Sequence, residues 1–371
     1  MFYLGGVGLA LFLAILLLAK QRKSAADWTL AAWLLIIAVH LLMVTIIGAD
    51  LCTMLWGIDM PLPLFHGPLL YLYTRALTGK SMRWQHWLTH LAVPLLFYLY
   101  LIPFLSRPAS EKMFVYEHEG VGYESFLFIR GIFIPVSGIL YIALSLFALR
   151  QHRLKIVEEF SSLDKIDLTW LRNLILWLSV IWVFVLFGND DWIFSSVVVF
   201  IFLIGFFGIR QGVIFSHHAM PPKEEVKEDA IEDDEPVQLN TRTETVKYVK
   251  SGLSQATSEA LHARLTILMR TEKIYRNSEC SLMDLATKLQ APANYVSQVI
   301  NEREGKNFYD YINGLRIHEF LEIARTPDSR KLTLFAIAQQ CGFNSKSSFN
   351  RYFKKITGQL PSQFLQQTVQ E

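Results

Sequence analysis

Seven apolar stretches, each of about the length needed to cross a bilayer, occupy the chain from Phe2 to Phe215, and short soluble-type helical patterns take over after them. The stretches are Phe2–Ala19, Trp28–Ile47, Ile58–Leu77, Trp87–Leu105, Phe126–Leu149, Leu171–Gly188 and Trp192–Phe215. Roughly 20 mostly apolar residues in a helix span the ~30 Å hydrocarbon core, and only a helix or a closed barrel satisfies its own backbone there. Only 18% of the 371 residues are charged, against about 25% in soluble chains, and the mean hydropathy is +0.30. Disorder, a collagen-like chain and a single soluble domain are excluded together. The net charge of +2 is unevenly divided. Residues 1–222 hold 15 Lys+Arg and 13 Asp+Glu, residues 223–235 hold 2 and 8, and residues 236–371 hold 18 and 12. This division predicts a membrane domain at 1–216, an acidic flexible linker at 217–253 and a basic soluble domain at 254–371. Within the linker, residues 223–235, which follow Pro221-Pro222, are highly charged, lack aromatics and cannot bury enough apolar surface to order themselves.

Short-loop charge sets the expected orientation, because Lys and Arg are retained on the cytoplasmic side. The first, third and fifth loops carry 11 Lys+Arg, whereas the second, fourth and sixth carry only Arg107 and Lys112. With seven spans the N-terminus is expected outside and the C-terminal domain in the cytoplasm, with the bundle in the inner membrane. The first stretch starts at Met1 without a basic lead, so it reads as a retained span rather than a cleaved signal. The third contains Pro61, Pro63 and Pro68 and is expected to be kinked.

Asp59 and His66 of the third stretch are the candidate sensing residues for an unknown small-molecule or membrane stimulus. An ionisable group at membrane depth costs about 2.5–3.5 kcal/mol on insertion scales, so it faces a cavity or a partner. The other reading stays open at this point: Asp59 in water at the outer interface, His66 making one packing hydrogen bond. His86 and His90 share one helix face at i, i+4. No second pair or carboxylate joins them, so no metal is assigned. Cys52, Cys280 and Cys341 are too few and too scattered for a disulfide framework or zinc cluster. Cys341, beside Gly342 and Phe343, reads as a small core residue. No P-loop, G-x-S-x-G, H-E-x-x-H or kinase signature occurs, so no catalytic residue and no cofactor is assigned.

From Ser254 onward the pattern is a series of short helices. Leu261, Leu265 and Leu268 mark one face of a helix over Ser258–Thr271. Ser281 and Asp284 form a capping box that opens a helix over Leu282–Leu289. After the break at Gln290-Ala291-Pro292 a second helix runs from about Ala293 to Arg303, ended by Gly305. A longer helix follows from Phe308 to Arg325. The unit then repeats: Leu334–Gln340, a turn at Gly342, and a helix from Ser345 to Thr357 ended by Gly358 and Pro361. In this last helix Phe349, Phe353 and Ile356 are expected to face the core. Lys346, Asn350 and Lys354, with Ser347 and Arg351 beside them, are expected on the opposite face, a mixture of amides, hydroxyls and cations suited to base edges and phosphates. Lys355 is expected to meet a phosphate or solvent.

The run Ile337-Ala-Gln-Gln-Cys341-Gly-Phe343-Asn-Ser-Lys-Ser-Ser-Phe349-Asn-Arg351-Tyr-Phe353-Lys-Lys355-Ile-Thr-Gly358-Gln-Leu-Pro361-Ser-Gln-Phe364 resembles the signature of AraC/XylS-type transcription regulators. That family's pattern is I-A-x-x-x-G-F-x-x-x-S-x-F-x-R-x-F-K-K-x-x-G-x-x-P-x-x-[YF]. Asn294-Tyr-Val-Ser-Gln298 and Asn307 to Asn313 resemble its first recognition helix and connecting helix. The resemblance covers about Leu261 to Phe364. It implies a bihelical DNA-binding domain whose DNA-facing residues are Ser345, Lys346, Ser347, Asn350, Arg351 and Lys354 in the second unit and Asn294, Ser297, Gln298, Asn301 and Arg303 in the first. The N-terminal half departs from the best-known members, which carry a soluble sugar-binding jelly roll there, and is similar to the membrane-anchored members.

The expected fold is therefore all-α: a seven-span transmembrane helix bundle plus a cytoplasmic domain with two helix-turn-helix units joined by a long helix. The resemblance implies a membrane-bound one-component transcription regulator whose partners are double-stranded DNA and the lipid bilayer. A homodimer is a further expectation, because two tethered domains gain affinity through effective concentration. A membrane transporter or channel with a regulatory cytoplasmic domain is the alternative. It requires paired polar groups along a pore or an internal repeat, and the sequence shows neither.

Overall fold

The computed structural model describes residues 2–79, 84–163, 166–211, 253–326 and 331–368; the expected linker lies almost wholly outside them. The described residues are helical with no strand among them, and they fall into two compact units, Met1–Gln151 with Leu168–Val226 and His152–Asp167 with Lys227–Glu371.

In the first unit α1 (Phe2–Leu18), α2 (Ala25–Gly48), α3 (Pro63–Leu77), α4 (Trp84–Leu105), α5 (Ala109–Glu117), α6 (Glu124–Glu159, of which the residues from His152 onward belong to the second unit), α7 (Thr169–Phe187) and α8 (Asp190–Gln211) follow in order. The Ser24 hydroxyl and the Asp27 carboxylate form a capping box that starts α2, and buried Lys20 meets the same carboxylate at 2.7 Å. Leu13 and Leu17 of α1, Leu34 and Leu41 of α2, Leu70 of α3, Ile175 of α7 and Ile201 of α8 are all buried in one core. A smaller cluster of Leu101, Phe104, Val115 and Phe126 packs α5 against α4 and α6. The outer faces stay apolar. Leu96, Leu99, Phe128, Ile139, Phe147, Val183, Phe187 and Phe202 are all exposed, a surface that suits lipid and that a soluble monomer rarely presents in such quantity.

Among the described residues five helices are long and apolar enough to cross a membrane: Ala25–Gly48, Trp87–Leu105, Glu124–Glu159, Thr169–Phe187 and Asp190–Gly208. The other two expected spans are shorter. α1 has 17 residues, and α3 has 15, about 22 Å at the helical rise. The third stretch is expected to be helical from Ile58, but the chain stays in turns until Pro63, the first helical residue. Proline has no N–H to donate and its fixed φ suits a helix start, so the pair Pro61 and Pro63 moves the boundary inward. α6 departs in the other direction. It continues ten residues beyond Leu149 to Glu159, because Arg, Lys, Gln and Glu are strong helix formers and Lys155 pairs with Glu159 one turn on.

The second unit holds α9 (Gln255–Thr271), α10 (Leu282–Lys288), α11 (Ala293–Glu304), α12 (Phe308–Ala324), α13 (Leu334–Gln340), α14 (Lys346–Thr357) and α15 (Pro361–Thr368). Side-chain caps start α9, α10, α12, α13 and α14 at Ser254, Ser281, Asn307, Thr333 and Ser345. The unit has two cores. One gathers Leu265, Leu285, Val296, Val299, Phe308 and Ile312; the other gathers Ile317, Phe320, Ile337, Cys341, Phe349 and Phe353. α12 belongs to both, with the changeover between Ile312 and Ile317.

Candidate nucleic-acid interface

α14 is the most strongly amphipathic surface of the second unit. The Ser345 hydroxyl accepts the Ser348 N–H at 3.2 Å to start it, and Gly358 ends it in the left-handed region. Phe349, Tyr352 and Phe353 are buried, whereas Lys346, Ser347, Arg351 and Lys354 are exposed and Asn350 and Ser345 are half-buried. The polar face is thus the expected one. The apolar face differs at one position: Ile356 is 41% exposed and Tyr352 is buried in its stead. An anchor from α12 explains this, for the Tyr352 hydroxyl donates to the Asp310 carbonyl at 2.7 Å and lies 3.3 Å from its carboxylate. Burial, with the Asp310 charge beside it, holds this phenol far above its usual range, so it remains a donor. Asp310 also takes Lys355 Nζ at 2.7 Å, which pairs this exposed cation with α12. Arg351 Nη2 donates to the Tyr309 hydroxyl at 3.3 Å, a contact that steadies an exposed guanidinium.

The first helix pair, α10 and α11, offers a weaker face. Asn294 and Arg303 are exposed, and Arg303 pairs with Glu259 at 3.3 Å. Ser297 and Asn301 are half-buried and bond each other at 3.4 Å. Gln298 leaves the expected set. It is 5% exposed, lies among Val296, Val299 and Ile300 on the core side of α11, and donates to Glu302 at 2.8 Å.

Asp59 and His66 are not brought into one group. Asp59 sits in the turns ahead of α3, accepting the Tyr116 hydroxyl at 3.2 Å and the Gly57 N–H at 3.3 Å. His66 accepts Trp33 Nε1–H at 3.2 Å on Nδ1, and its Nε2 lies 3.2 Å from His40 Nδ1 with the two rings stacked. Sequence reasoning passed over Trp33 and His40, although their spacing of seven places both on one face of α2. His90 Nδ1 lies 3.0 Å from the Tyr141 hydroxyl, and the side chain of His86 lies outside the described residues.

α12 carries two further polar groups that no motif marks. Arg316 is 1% exposed, and burial pushes its guanidinium down to about 10, so it stays charged at neutral pH. Its position, four residues from both Ile312 and Phe320 on the apolar stripe, is the sequence signal for it. Glu319 is 4% exposed and receives Arg276 Nε and Nη2 at 3.0 and 2.6 Å and Lys273 Nζ at 2.7 Å. Burial alone would raise this carboxyl. The hydrogen bonds from Arg276 and Lys273 outweigh it and hold the group below the ordinary glutamate range. A depressed native value stabilises the fold above the unfolded pKa of about 4.3, and that contribution is lost as pH falls through the native value. Glu319→Gln is expected to cost about 1–2 kcal/mol at neutral pH, the low end for a broken pair because both cations are exposed, and to abolish this part of the acid sensitivity. Hydrogen exchange of α12 amides in the full chain, followed from neutral pH downward, measures both effects.

Residues 285–367 match the family model of a helix-turn-helix domain. No curated protein and no solved structure gives a significant match to the chain. The match begins inside α10 and takes in both helix pairs, α12 and α15, and the exposed polar face of α14 lies within it. This family is one of DNA-binding regulators and not of enzymes. Residues 285–367 of this chain thus match an AraC-type helix-turn-helix domain, behind an N-terminal region whose described residues include five apolar helices of membrane length.

Proposed function

We propose that the chain is a membrane-anchored one-component transcription regulator. The observation that carries this reading is the exposed face of Lys346, Ser347, Arg351 and Lys354 on a helix whose other side is an aromatic core, inside a segment matching a DNA-binding family. α10–α11 and α13–α14 act as two helix-turn-helix units joined by α12, and α11 and α14 enter successive major grooves, which lie about 34 Å apart along one face of the duplex. Ser345 and Asn350 complete the second reading face; Asn294, Ser297, Asn301 and Arg303 form the first. The domains run 1–216, 217–253 and 254–371. The bundle crosses the inner membrane seven times, α1 and α3 included, with the N-terminus outside. It senses a small-molecule or membrane stimulus, with Asp59 and His66 as the polar points where a ligand or proton acts, and the regulator works as a homodimer.

The test uses the full chain in lipid nanodiscs and a random duplex pool. Selection is expected to return a defined sequence whose affinity falls steeply with salt as counterions are released. Arg351→Ala is expected to weaken that duplex by about 1–3 kcal/mol, roughly 10- to 100-fold, and to relax specificity at one position. Lys354→Ala lowers affinity for all sequences alike if it meets a phosphate. A pool that yields no enriched sequence at any salt concentration overturns the reading.

A further inference from the structure

Residues 160–168 join α6 to α7, and the first of them sit in a socket of the C-terminal domain. Phe160 makes an antiparallel bridge with Ser281. The Ser161 N–H and hydroxyl both donate to the Cys280 carbonyl, at 3.2 and 2.6 Å. The Ser161 carbonyl accepts Asn313 Nδ2–H at 3.0 Å and Arg316 Nη1–H at 3.3 Å, and its Oγ accepts Arg316 Nη2–H at 3.1 Å. The Ser162 hydroxyl accepts Asn344 Nδ2–H at 3.3 Å, one residue before the cap of α14. Ser161, Cys280, Asn313 and Arg316 are all buried.

Arg316 shows why this seat matters. A guanidinium carries five N–H donors in a rigid fork. Those of Arg316 meet five neutral oxygens: the carbonyls of Tyr275, Asn277 and Ser161, the Asn313 Oδ1 and the Ser161 hydroxyl. Two of the five belong to Ser161, one at each terminal nitrogen. Withdrawing the loop strands two donors of a buried charge, which is costly, so Arg316 must then rearrange. Arg316 also holds the junction of the domain. Through Tyr275 and Asn277 it grips the chain leading to α10, it lies 5.7 Å over the Phe343 ring at the start of the second pair's turn, and it stands on α12 between the two cores. The loop is bounded by two helices of membrane length, so a shift of one against the other acts on it directly.

We propose that residues 160–163 are a signal-transfer plug, and that Ser161 in the socket of Arg316, Asn313 and the Cys280 carbonyl fixes the setting of the two helix pairs for DNA. The proposal rests on the DNA-binding reading above. A seated plug pre-organises both pairs, and pre-organisation raises affinity; a withdrawn plug lets them move and lowers it.

The experiment uses the full chain in nanodiscs, with Cys52→Ser, a protease site placed within residues 223–235, and the pair Ser162→Cys and Asn344→Cys. Oxidation followed by cleavage is expected to leave the two pieces joined on a non-reducing gel, and Ser162→Cys alone to release them. Ser161→Lys sets a cation against Arg316. It is expected to abolish the cross-link and to weaken the selected duplex at least ten-fold, while Ser161→Thr, which keeps the hydroxyl, restores both. If Ser161→Lys fails to fold by proteolysis, Ser161→Ala replaces it, with a fall of about three-fold expected. A pair that never cross-links, or a loss of cross-linking with unchanged DNA affinity, overturns the plug. A wild-type chain that selects no duplex overturns the DNA-binding reading, while the cross-link still reports on the socket.

Discussion

Phe353→Ala is expected to cost about 3–5 kcal/mol, the range for removing a large aromatic side chain from a core that cannot collapse onto the space. Phe353 is fully buried, and the rings of Phe320, Phe349 and Phe364 surround it with centroids at 5.6 Å in each case. The core it belongs to is small, and Ile317, Ile337, Ala338, Cys341 and Phe343 are among its other buried members. A cluster this small has few neighbours free to shift into a cavity. The loss falls on one helix pair, because the first pair rests on a separate core of Leu265, Leu285, Val296 and Ile300. Hydrogen exchange of the full chain in detergent micelles is the measurement. Protection of α13 and α14 amides is expected to drop by roughly two to three powers of ten, since each 1.4 kcal/mol is tenfold, while α11 amides lose far less. Equal losses in α11 and α14 would mean that the two cores unfold as one, contrary to this expectation.

The parts of the fold that the sequence made legible are those decided within a few residues. Ser281 with Asp284, Ser345 and Gly358 act on the backbone one to three positions away, so the limits of α10 and α14 fell where the reading placed them to within a residue. The polar face of α14 was legible for the same reason, since helical period alone separates Phe349 and Phe353 from Lys346 and Lys354. What failed depended on distant partners. Tyr352 is pulled inward by Asp310, which lies 42 residues earlier, and Ile356 is left outside. Gln298 has a polar side chain that the resemblance placed toward DNA, yet the packing of α11 takes it into the core. The end of α6 misled hydropathy, because apolar character stops at Leu149 whereas helix propensity does not. Ser161 and Arg316 are 155 residues apart, and no local pattern joins a serine in a loop between two apolar helices to an arginine on a soluble helix. In the membrane region His66 was legible, but Trp33 and His40 were not, because grouping the three requires the register of α2 against α3.

Gly342→Ala is expected to be nearly as damaging as the loss of Phe353, although it adds one carbon atom and removes none. Gly342 has φ +100°, outside the region that L side chains adopt readily. A Cβ there would stand 2.6 Å from the Tyr275 carbonyl oxygen, 2.8 Å from that of Arg276 and 2.9 Å from Arg316 Nε. The first two are backbone atoms in a segment that also holds the guanidinium of Arg316 and, through Arg276, the carboxylate of Glu319, so neither can retreat without breaking those bonds. Strain at a sparsely populated dihedral costs about 1–3 kcal/mol and the steric conflict adds to it, giving a total of about 3 kcal/mol or more. Gly305 supplies the control. It also has a positive φ, +64°, at the end of α11, but a Cβ there meets nothing within 4 Å. Gly305→Ala is therefore expected to cost only about 1 kcal/mol, the penalty of the left-handed backbone alone. Hydrogen exchange of α13 and α14 in Gly342→Ala, compared with that of α11 in Gly305→Ala, separates the causes. Equal losses would show that the turn needs glycine for its backbone only. A loss confined to Gly342→Ala, accompanied by weaker binding of the selected duplex, would show that the turn ahead of α14 is pressed against the chain that holds Arg316, and that the setting of the second helix pair depends on that contact.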